Sequence, residues 1–289
     1  MEERKNEKHY DQHQQHTDHN DDENELPSQA MATHELIREE GAKELERDIW
    51  ALLCSAIAAG LSMSASFLAK GVFHAEIGHL PGGILIESIG YTFGFIIVIM
   101  AHQQLFTENT ITPVLSVMQK PTANNLILLM RLWAVVLLGN LIGTAIAAWA
   151  FGYMPVFDPA IQQAFHDIGM KVMANSPTQM FAKAVISGWI VATMVWMLPS
   201  AGNTKILVIF AMTWLIAVAD TTHIVVGTIE ILYLVFTGAI PWQEFIWPFA
   251  IPTLLGNICG GTFIFALLSH AQIRMDMQKD SSVTVEKSS

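Results

Sequence analysis

The stretch KILVIFAMTWLIAVADTTHIVVGTIEILYLVF, residues 205–236, decides how the rest of the chain is interpreted. With its flanks it covers residues 203–238, and it is apolar except at residues 220–223 near its middle. One straight helix of roughly 36 residues would be about 54 Å long, whereas the hydrocarbon core of a bilayer is about 30 Å thick. Two separate spans do not fit either, because the part after His223 is too short. We therefore predict one membrane span that is broken at mid-depth, and such breaks line cavities or lie buried in protein.

The composition is typical of a membrane protein, with 52% apolar and 14% charged residues. Residues 1–49 hold 15 acidic and 6 basic side chains, so the acidic balance belongs mostly to this segment. Cys54 and Cys259 lie in apolar runs and indicate neither a disulfide framework nor a metal site. No cleavable signal peptide is visible, and the first span is expected to serve as the insertion signal.

Four segments are predicted along the chain. Residues 1–30 form an acidic, His-rich tail that is expected to be disordered, and residues 31–48 form an amphipathic helix. Residues 49–270 form a six-span transport domain, and residues 271–289 form a second tail. The spans are placed at about 49–67, 84–118, 126–151, 181–198, 203–238 and 245–269, with a helix on the membrane surface at 158–176. The distribution of Lys and Arg predicts that both termini are cytoplasmic.

An internal repeat relates the two halves of the transport domain. The second span is also too long, and Gln103, Gln104, Glu108 and Asn109 interrupt it. Thr107 lies 32 residues before the glycine of GNLIGT (139–144), and His223 lies 33 residues before that of GNICGGT (256–262). Because each repeat has three spans, the second copy must be inverted. The predicted fold is an all-α membrane protein of two inverted three-span repeats, with the second and fifth spans broken.

At each break, backbone N–H groups lose their helical partners, and the helix after the break begins with a partial positive charge. Two such ends favour an anion, to which Thr107 can donate a hydrogen bond and His223 can donate a hydrogen bond or a proton. No Lys or Arg is predicted at mid-depth, so the attraction would be weak, which suits conduction. Asp220 either caps the following half-helix or touches the permeant species. Glu108 and Glu230 are expected to face a subunit or helix interface.

Over about residues 45–270 the chain resembles the formate/nitrite transporter family. The resemblance is carried by the LFT of LFTENT, GNLIG, VWM at 195–197, the His of the fifth span and PTLLGNICGG. It implies an aquaporin-like fold, assembly as a homopentamer with one pore in each subunit, and a place in the bacterial inner membrane. It also implies conduction of formate, nitrite, hydrosulfide or their neutral acids. By position, Thr107 and His223 would lie in the loops of the broken spans, and Tyr91, Leu105 and Phe106 would lie near apolar constrictions.

The chain departs from the family pattern around the His. Family members have Glu before the His, where this chain has Thr222, and Asn four residues after it, where this chain has Gly227. A second Asn of the fourth span corresponds to Gly188. We hypothesise that Thr221 or Thr222 replaces the missing partner of His223. Structural roles at the breaks and repeats are assigned to Asp220, Gly227, Asn140 and Asn257.

The leading interpretation is a channel, or a carrier linked to protons, for a small monovalent anion or its weak acid. The expected partners are that anion, with or without protons, the lipid bilayer and four further copies of the chain. No cofactor, metal or nucleic acid is predicted. A channel for small neutral solutes remains open, although the Asn-Pro-Ala pair of aquaporins is absent. A scaffold or sensor that works through the acidic tail also remains open. An intramembrane hydrolase lacks a nucleophile motif at the depth of the His, so no enzyme is predicted.

Overall fold

The computed structural model describes residues 29–273 and residue 275, and this part of the chain is helical without strands. The predicted tails, 1–30 and 271–289, lie almost entirely outside the described residues, so their disorder stays a prediction. The main helices are α1 (Gln29–Glu46), α2 (Ile49–Ile77), α3 (Gly83–Met100), α4 (Thr112–Gln119), α5 (Ala123–Tyr153), α6 (Pro159–Met173), α7 (Pro177–Met197), α8 (Lys205–Val218), α9 (Ile224–Phe236) and α10 (Trp242–Ile273).

Among the described residues, five helices are long and apolar enough to cross a membrane: α2, α3, α5, α7 with the turn after it, and α10. The helices α8 and α9 are equally apolar but shorter, because the stretch predicted to be broken is helical only up to Val218 and again from Ile224. A second interruption separates α3 from α4 and contains a single helical turn, Glu108–Thr110. Two of the apolar segments therefore consist of two helices each, α3 with α4 and α8 with α9.

The helix α2 starts at a side-chain cap and is ten residues longer than the predicted first span. The Asp48 carboxylate accepts hydrogen bonds from the N–H groups of Trp50 and Ala51, which satisfies donors that the first turn leaves free. At the other end α2 continues to Ile77. Lys70 consequently lies within this helix with a largely buried side chain, and not in a loop at the membrane surface as its position after the predicted span implied.

The segment predicted as a surface helix, 158–176, is packed into the bundle through one face. The ring of Phe165 in α6 is fully buried and lies 4.6 Å from that of Phe67 in α2. Gly169 permits a close approach to α9, because a Cβ there would come within 2.9 Å of the Glu230 carbonyl oxygen. The apolar face of α6 is thus buried by protein, and its position at the membrane surface stays a prediction.

The helix α1 lies across one end of the bundle, against α4. The backbones touch at Gly41, where a Cβ would come within 2.1 Å of the Thr112 carbonyl oxygen. Next to this contact the Ser116 hydroxyl donates a 2.5 Å hydrogen bond to the Arg38 carbonyl oxygen. Because α4 comes directly after the first helix break, α1 covers that side of the break.

Candidate functional site

The helices α3 and α8 end in the same way. In each case a residue with left-handed backbone comes after the last turn, His102 after α3 and Asp220 after α8, both with φ 51°. The next N–H group then closes back over the helix end, which satisfies a carbonyl that would otherwise lack a partner. These bonds run from Gln103 N to Val98 O at 2.9 Å and from Thr221 N to Ile216 O at 3.2 Å.

A buried asparagine from α5 fixes the loop after α3. The Asn140 Oδ1 accepts a 2.9 Å hydrogen bond from Phe106 N–H. Its Nδ2 donates to the carbonyl oxygens of Gln104 and Ala56, each at 2.8 Å. Asn140 therefore joins the loop to α2, and we refer to this arrangement as the first asparagine clamp.

A second asparagine clamp, from α10, fixes the loop after α8. The Asn257 Oδ1 accepts from Ile224 N–H at 2.9 Å. Its Nδ2 lies 2.9 Å from the Ala184 carbonyl oxygen and from the Ser187 hydroxyl, and 3.4 Å from the Thr222 carbonyl oxygen. Each clamp thus accepts from one loop residue and donates to the carbonyl two residues earlier.

The two clamps enclose different side chains. The first holds Leu105 between its two backbone contacts, and the second holds His223 at the same place. The spacing of the sequence motifs had made Thr107 and His223 equivalent positions of the repeat. The clamps make Leu105 the equivalent of His223, so the position taken from the sequence is wrong by two residues. Thr107 nevertheless meets His223 directly, because its Oγ1 lies 2.8 Å from the His223 Nε2.

The hydrogen bonds of His223 define its tautomer. His223 precedes the first residue of α9, and its Nδ1 accepts a hydrogen bond from Val226 N–H at 3.4 Å. A neutral imidazole has one donor and one acceptor nitrogen, so the proton is assigned to Nε2, which donates to the Thr107 hydroxyl. The Thr107 hydroxyl keeps its own hydrogen as a donor.

Asp220 does not cap α9, which corrects one of the two roles predicted for it. The left-handed backbone at Asp220 directs its carboxylate to Lys171, at 3.1 Å, and to Lys183, at 2.5 Å. Cap contacts to the first turn of α9 come from His223 three residues later. Asp220 closes α8 and lies three residues before the cap position of α9, so it is too far from α9 in the sequence to cap it.

The threonines beside His223 do not replace its missing family partner. The Thr221 hydroxyl donates to the Ile216 carbonyl oxygen at 2.9 Å, and the Thr222 hydroxyl donates to the Met180 carbonyl oxygen at 2.8 Å. Both hydroxyl hydrogens are used by backbone carbonyls of α8 and α7. The partner of His223 is Thr107, from the other break.

Two cavities approach this contact. The α1-side vestibule has a volume of about 590 Å³, and its inner end is lined by Gln103, Gln104, Glu108 and Asn109. The His223 cavity is smaller, about 30 Å³, and is lined by residues that include Lys70, Tyr91, Asp220, Thr222, His223 and Glu230. Thr107 is fully buried between them, since its neighbour Glu108 lines the vestibule and its partner His223 lines the His223 cavity.

Lys70 and Glu230 are site residues that the sequence prediction missed. The Lys70 Nζ lies 3.1 Å from the Glu230 Oε1, and both side chains line the His223 cavity. Glu230 lies between α9 and α2, and the ammonium group beside it is one that the sequence prediction did not place near the break. One signal was available: Glu230 lies seven residues after His223, which is about two helical turns and thus the same face of α9.

The predicted constriction residues are buried near the Thr107–His223 contact. Tyr91 lines the His223 cavity and packs on Phe95, with ring centroids 5.4 Å apart. The Phe95 ring in turn meets the His223 ring edge to face, at 5.2 Å. Leu105 and Phe106, the two residues before Thr107 in the chain, are 1% exposed, so the loop that leads to Thr107 carries buried apolar side chains.

Close backbone packing explains two departures from the family pattern. A Cβ at Gly188 would lie 2.4 Å from the Asn257 carbonyl oxygen, so no side chain fits there. Gly60 has the same relation to the other clamp, with a Cβ 2.4 Å from the Asn140 carbonyl oxygen. At Gly227 the space for a side chain is filled by the Phe249 ring, 2.6 Å from a Cβ.

Comparisons with known proteins give one family. Residues 31–271 match the sequence profile of the family described as "Formate/nitrite transporter". The chain is 70% identical to the "Inner membrane protein YfdC" of Escherichia coli (strain K12) over 256 residues, which cover 89% of this chain and 83% of that protein. It is 25% identical to the "Uncharacterized transporter YrhG" of Bacillus subtilis (strain 168), covering 80% of this chain and 88% of that protein.

Solved structures give the same fold. The chain is similar to a "Pentameric formate channel with formate bound", with TM-score 0.66 and 21% identity, covering 78% of this chain and 98% of that one. An "FNT family ion channel" matches with TM-score 0.68 and 20% identity, covering 82% and 96%. Members of this family are channels and transporters and not enzymes. The chain belongs to the formate/nitrite transporter family and is a membrane protein.

Proposed function

We propose that the chain is a channel, or a carrier linked to protons, for a small monovalent anion or its weak acid, of the formate, nitrite or hydrosulfide type. The observation that carries the proposal is the Thr107–His223 hydrogen bond, which joins two helix breaks between two cavities. The family and the formate channel of the same fold support the class of cargo. Thr107 and His223 would be the pore residues, within the apolar surroundings given by Leu105 and Phe106.

The architecture that we propose is an aquaporin-like bundle of six spans, made of two inverted repeats, each with a broken middle span. The support is the match between the breaks in three separate features: the left-handed closing residue, the asparagine clamp and the glycine packed on the clamp. The corresponding loop residues of the two breaks are separated by the same number of residues throughout. Residues 49–270 would form this transport domain.

The tautomer of His223 suggests how an anion is received. Nε2–H donates to the Thr107 hydroxyl, and the hydrogen of that hydroxyl is then available to an anion. Because the proposed donors beside the contact are neutral, the anion is held only weakly, as conduction requires. A weak acid that crosses the apolar surroundings close to neutrality would lose less solvation energy than a fixed charge.

Assembly and location are part of the same proposal. A relative named as an inner membrane protein supports a bacterial inner membrane, and a neighbour named as pentameric supports a homopentamer with one pore in each subunit. The excess of Lys and Arg on one side supports a cytoplasmic position for both termini and α1. The α1-side vestibule would then be the cytoplasmic entrance.

The test is flux of formate, nitrite and hydrosulfide into proteoliposomes at two pH values. We expect flux of at least one of these anions above that of empty liposomes and about a tenfold loss in His223→Ala, from the hydrogen bond that is removed. His166→Ala is the matched control, because the side chain of His166 is 41% exposed and lines neither cavity. Identical rates in wild type and His223→Ala would contradict the role of the His. Swelling in neutral solutes without anion flux would contradict anion conduction and favour a neutral-solute channel.

A further inference from the structure

We propose that Lys70 and Tyr91 form a binding site for the permeating anion inside the His223 cavity, with Glu230 as the group that holds Lys70 while the site is empty. This inference rests on the proposed anion conduction and adds the site at which the anion waits before it reaches Thr107 and His223. The chemical class of the ligand is a monovalent anion with two acceptor oxygens, such as formate or nitrite.

Lys70 brings a buried charge to this cavity. Its side chain is 17% exposed, and its Nζ donates to the Glu230 carboxylate, which is 5% exposed. An ammonium group has three donors, and the bond to Glu230 uses one of them. A buried pair of this kind costs desolvation energy that the attraction between the partners does not always recover. The two remaining donors of Lys70 are available to a second acceptor.

Tyr91 provides a donor that the protein itself leaves unused. Its side chain is 4% exposed, and within the part of the chain that the structure describes its hydroxyl has no hydrogen-bond partner. Buried polar groups are nearly always hydrogen-bonded, so an unpaired one needs an explanation. Since Tyr91 and Lys70 line the same cavity, an anion in that cavity is the acceptor that both can share.

The cavity has the right size for such an anion. Its volume is about 30 Å³, and a space of about 10–15 Å³ holds one water molecule. The cavity therefore accommodates about two to three non-hydrogen atoms, which is the size of formate or nitrite.

The charges around the cavity explain why binding would be loose. Lys70 and Glu230 together are neutral, and the other carboxylate of the cavity, Asp220, is paired with Lys171 and Lys183. An incoming anion would therefore compete with Glu230 for Lys70. This competition shortens the time for which the anion stays, which a conducting site requires.

The test measures the formate concentration that gives half-maximal flux into proteoliposomes. A hydrogen bond to a charged group typically corresponds to about a tenfold change in affinity or more, so we expect this concentration to rise about tenfold in Lys70→Met and roughly threefold to tenfold in Tyr91→Phe. Tyr233→Phe is the control, because that hydroxyl donates to the Gln162 carbonyl oxygen at 3.2 Å and should leave the value unchanged. Unchanged values in both Lys70→Met and Tyr91→Phe, with a conducting wild type, would overturn this inference and leave the proposed function intact. A wild type that conducts neither formate, nitrite nor hydrosulfide would overturn both.

Three further variants separate binding from folding, because Lys70→Met alone leaves Glu230 buried without a partner. The double variant Lys70→Met/Glu230→Met removes the pair together and should elute like wild type from a size-exclusion column, yet keep the tenfold higher half-saturation. A double variant with the half-saturation of wild type would show that the pair is only structural and would overturn the inference. Glu230→Gln should lower the half-saturation several-fold, since Lys70 loses its competitor, and an increase would contradict that role. Lys70→Arg keeps the charge but places two more non-hydrogen atoms in a cavity of about 30 Å³, so we expect a higher half-saturation than in wild type, and an unchanged value would contradict the fit of the anion in this cavity.

Discussion

The break after α3 and the break after α8 use the same backbone arrangement but hold different side chains. Each begins with a left-handed residue, and each is tied by an asparagine from a neighbouring helix. Between the backbone contacts the first clamp holds Leu105, whereas the second holds His223. The arrangement of the loop and the chemistry of the site are thus separable: the first recurs in both halves and the second does not.

The breaks also differ in the segment that connects the clamp to the next helix. The second break enters α9 at once, with His223 as its cap. The first passes through Thr107 and a single helical turn before α4 begins. This difference brings Thr107 to His223, although the two residues are not equivalent in the repeat. The contact proposed for function is therefore a cross-contact between halves, and symmetry alone would not produce it.

The largest expected effects come from the clamps. In Asn140→Ala and Asn257→Ala, buried backbone groups lose their partners at about 1–3 kcal/mol each, so we expect each variant to lower the free energy of unfolding by about 3–5 kcal/mol. Unfolding in detergent measures this. Asn125→Ala, at a partly exposed asparagine, is the control and should change stability by less than about 0.5 kcal/mol. Losses that differ by more than about 2 kcal/mol between the two clamps would break their equivalence.

The glycines packed on the clamps come next. Gly60→Ala and Gly188→Ala each place a Cβ 2.4 Å from the carbonyl oxygen of a clamp asparagine, and backbone there cannot move aside easily. We expect each to lower stability by about 2–3 kcal/mol, measured as above. Gly227→Ala places its Cβ against the ring of Phe249 instead. Because a ring can turn more easily than backbone can move, we expect a smaller loss of stability, and Phe249→Leu should restore part of it. A neutral Gly188→Ala would show that the second clamp packs less tightly than the first.

The side chains inside the breaks should affect flux more than stability. Thr107→Val removes the hydroxyl that His223 contacts and keeps the shape, so we expect about a tenfold lower formate flux in proteoliposomes, from one hydrogen bond. The control is Thr222→Val, whose hydroxyl donates to a backbone carbonyl of α7, and its flux should stay within about twofold of wild type. Equal losses in both variants would mean that loop geometry, and not the cross-contact, limits the flux.

The left-handed residues give the smallest effects and distinguish the two loops. A residue other than glycine in this conformation costs roughly 1 kcal/mol, and relief of that cost in His102→Gly should raise stability by about 0.5–1 kcal/mol. Asp220→Gly gains the same relief but loses contacts with two lysines that are partly exposed, worth up to about 1 kcal/mol. We therefore expect no net change there. Chemical denaturation compares the two, and a destabilised His102→Gly would reveal a contact of His102 that opposes this expectation.

Much of this organisation is predictable from the sequence, because it depends on length and polarity. A segment too long for one span, with polar residues at its centre, predicts a break, and Asp220 and His223 are the titratable side chains at that centre. The GN motifs identify Asn140 and Asn257 as structural residues without showing what they bind. A buried asparagine needs partners, but only the three-dimensional structure reveals that these are loop backbone groups.

Other parts of the site could not be predicted, for two physical reasons. Lys70 and Glu230 are 160 residues apart, and nothing local to either residue encodes their contact. Asp220 looked like a helix cap because aspartate is among the best N-cap residues. The same short side chain also tolerates left-handed backbone, and the structure uses this second property. The local preferences of an aspartate allow both a helix cap and a left-handed turn, and contacts with the neighbouring helices decide between them.

The α1-side vestibule has an electrical consequence. Water and ions in a space of about 590 Å³ carry the potential of the adjoining solution inward to the level of Gln104 and Asn109. In the pore proposed above, a membrane voltage would then fall across the part of the protein beyond this vestibule, where Thr107 and His223 lie. Moving one elementary charge through a drop of 100 mV corresponds to about 2.3 kcal/mol, so this work would be done on an anion after it leaves the vestibule.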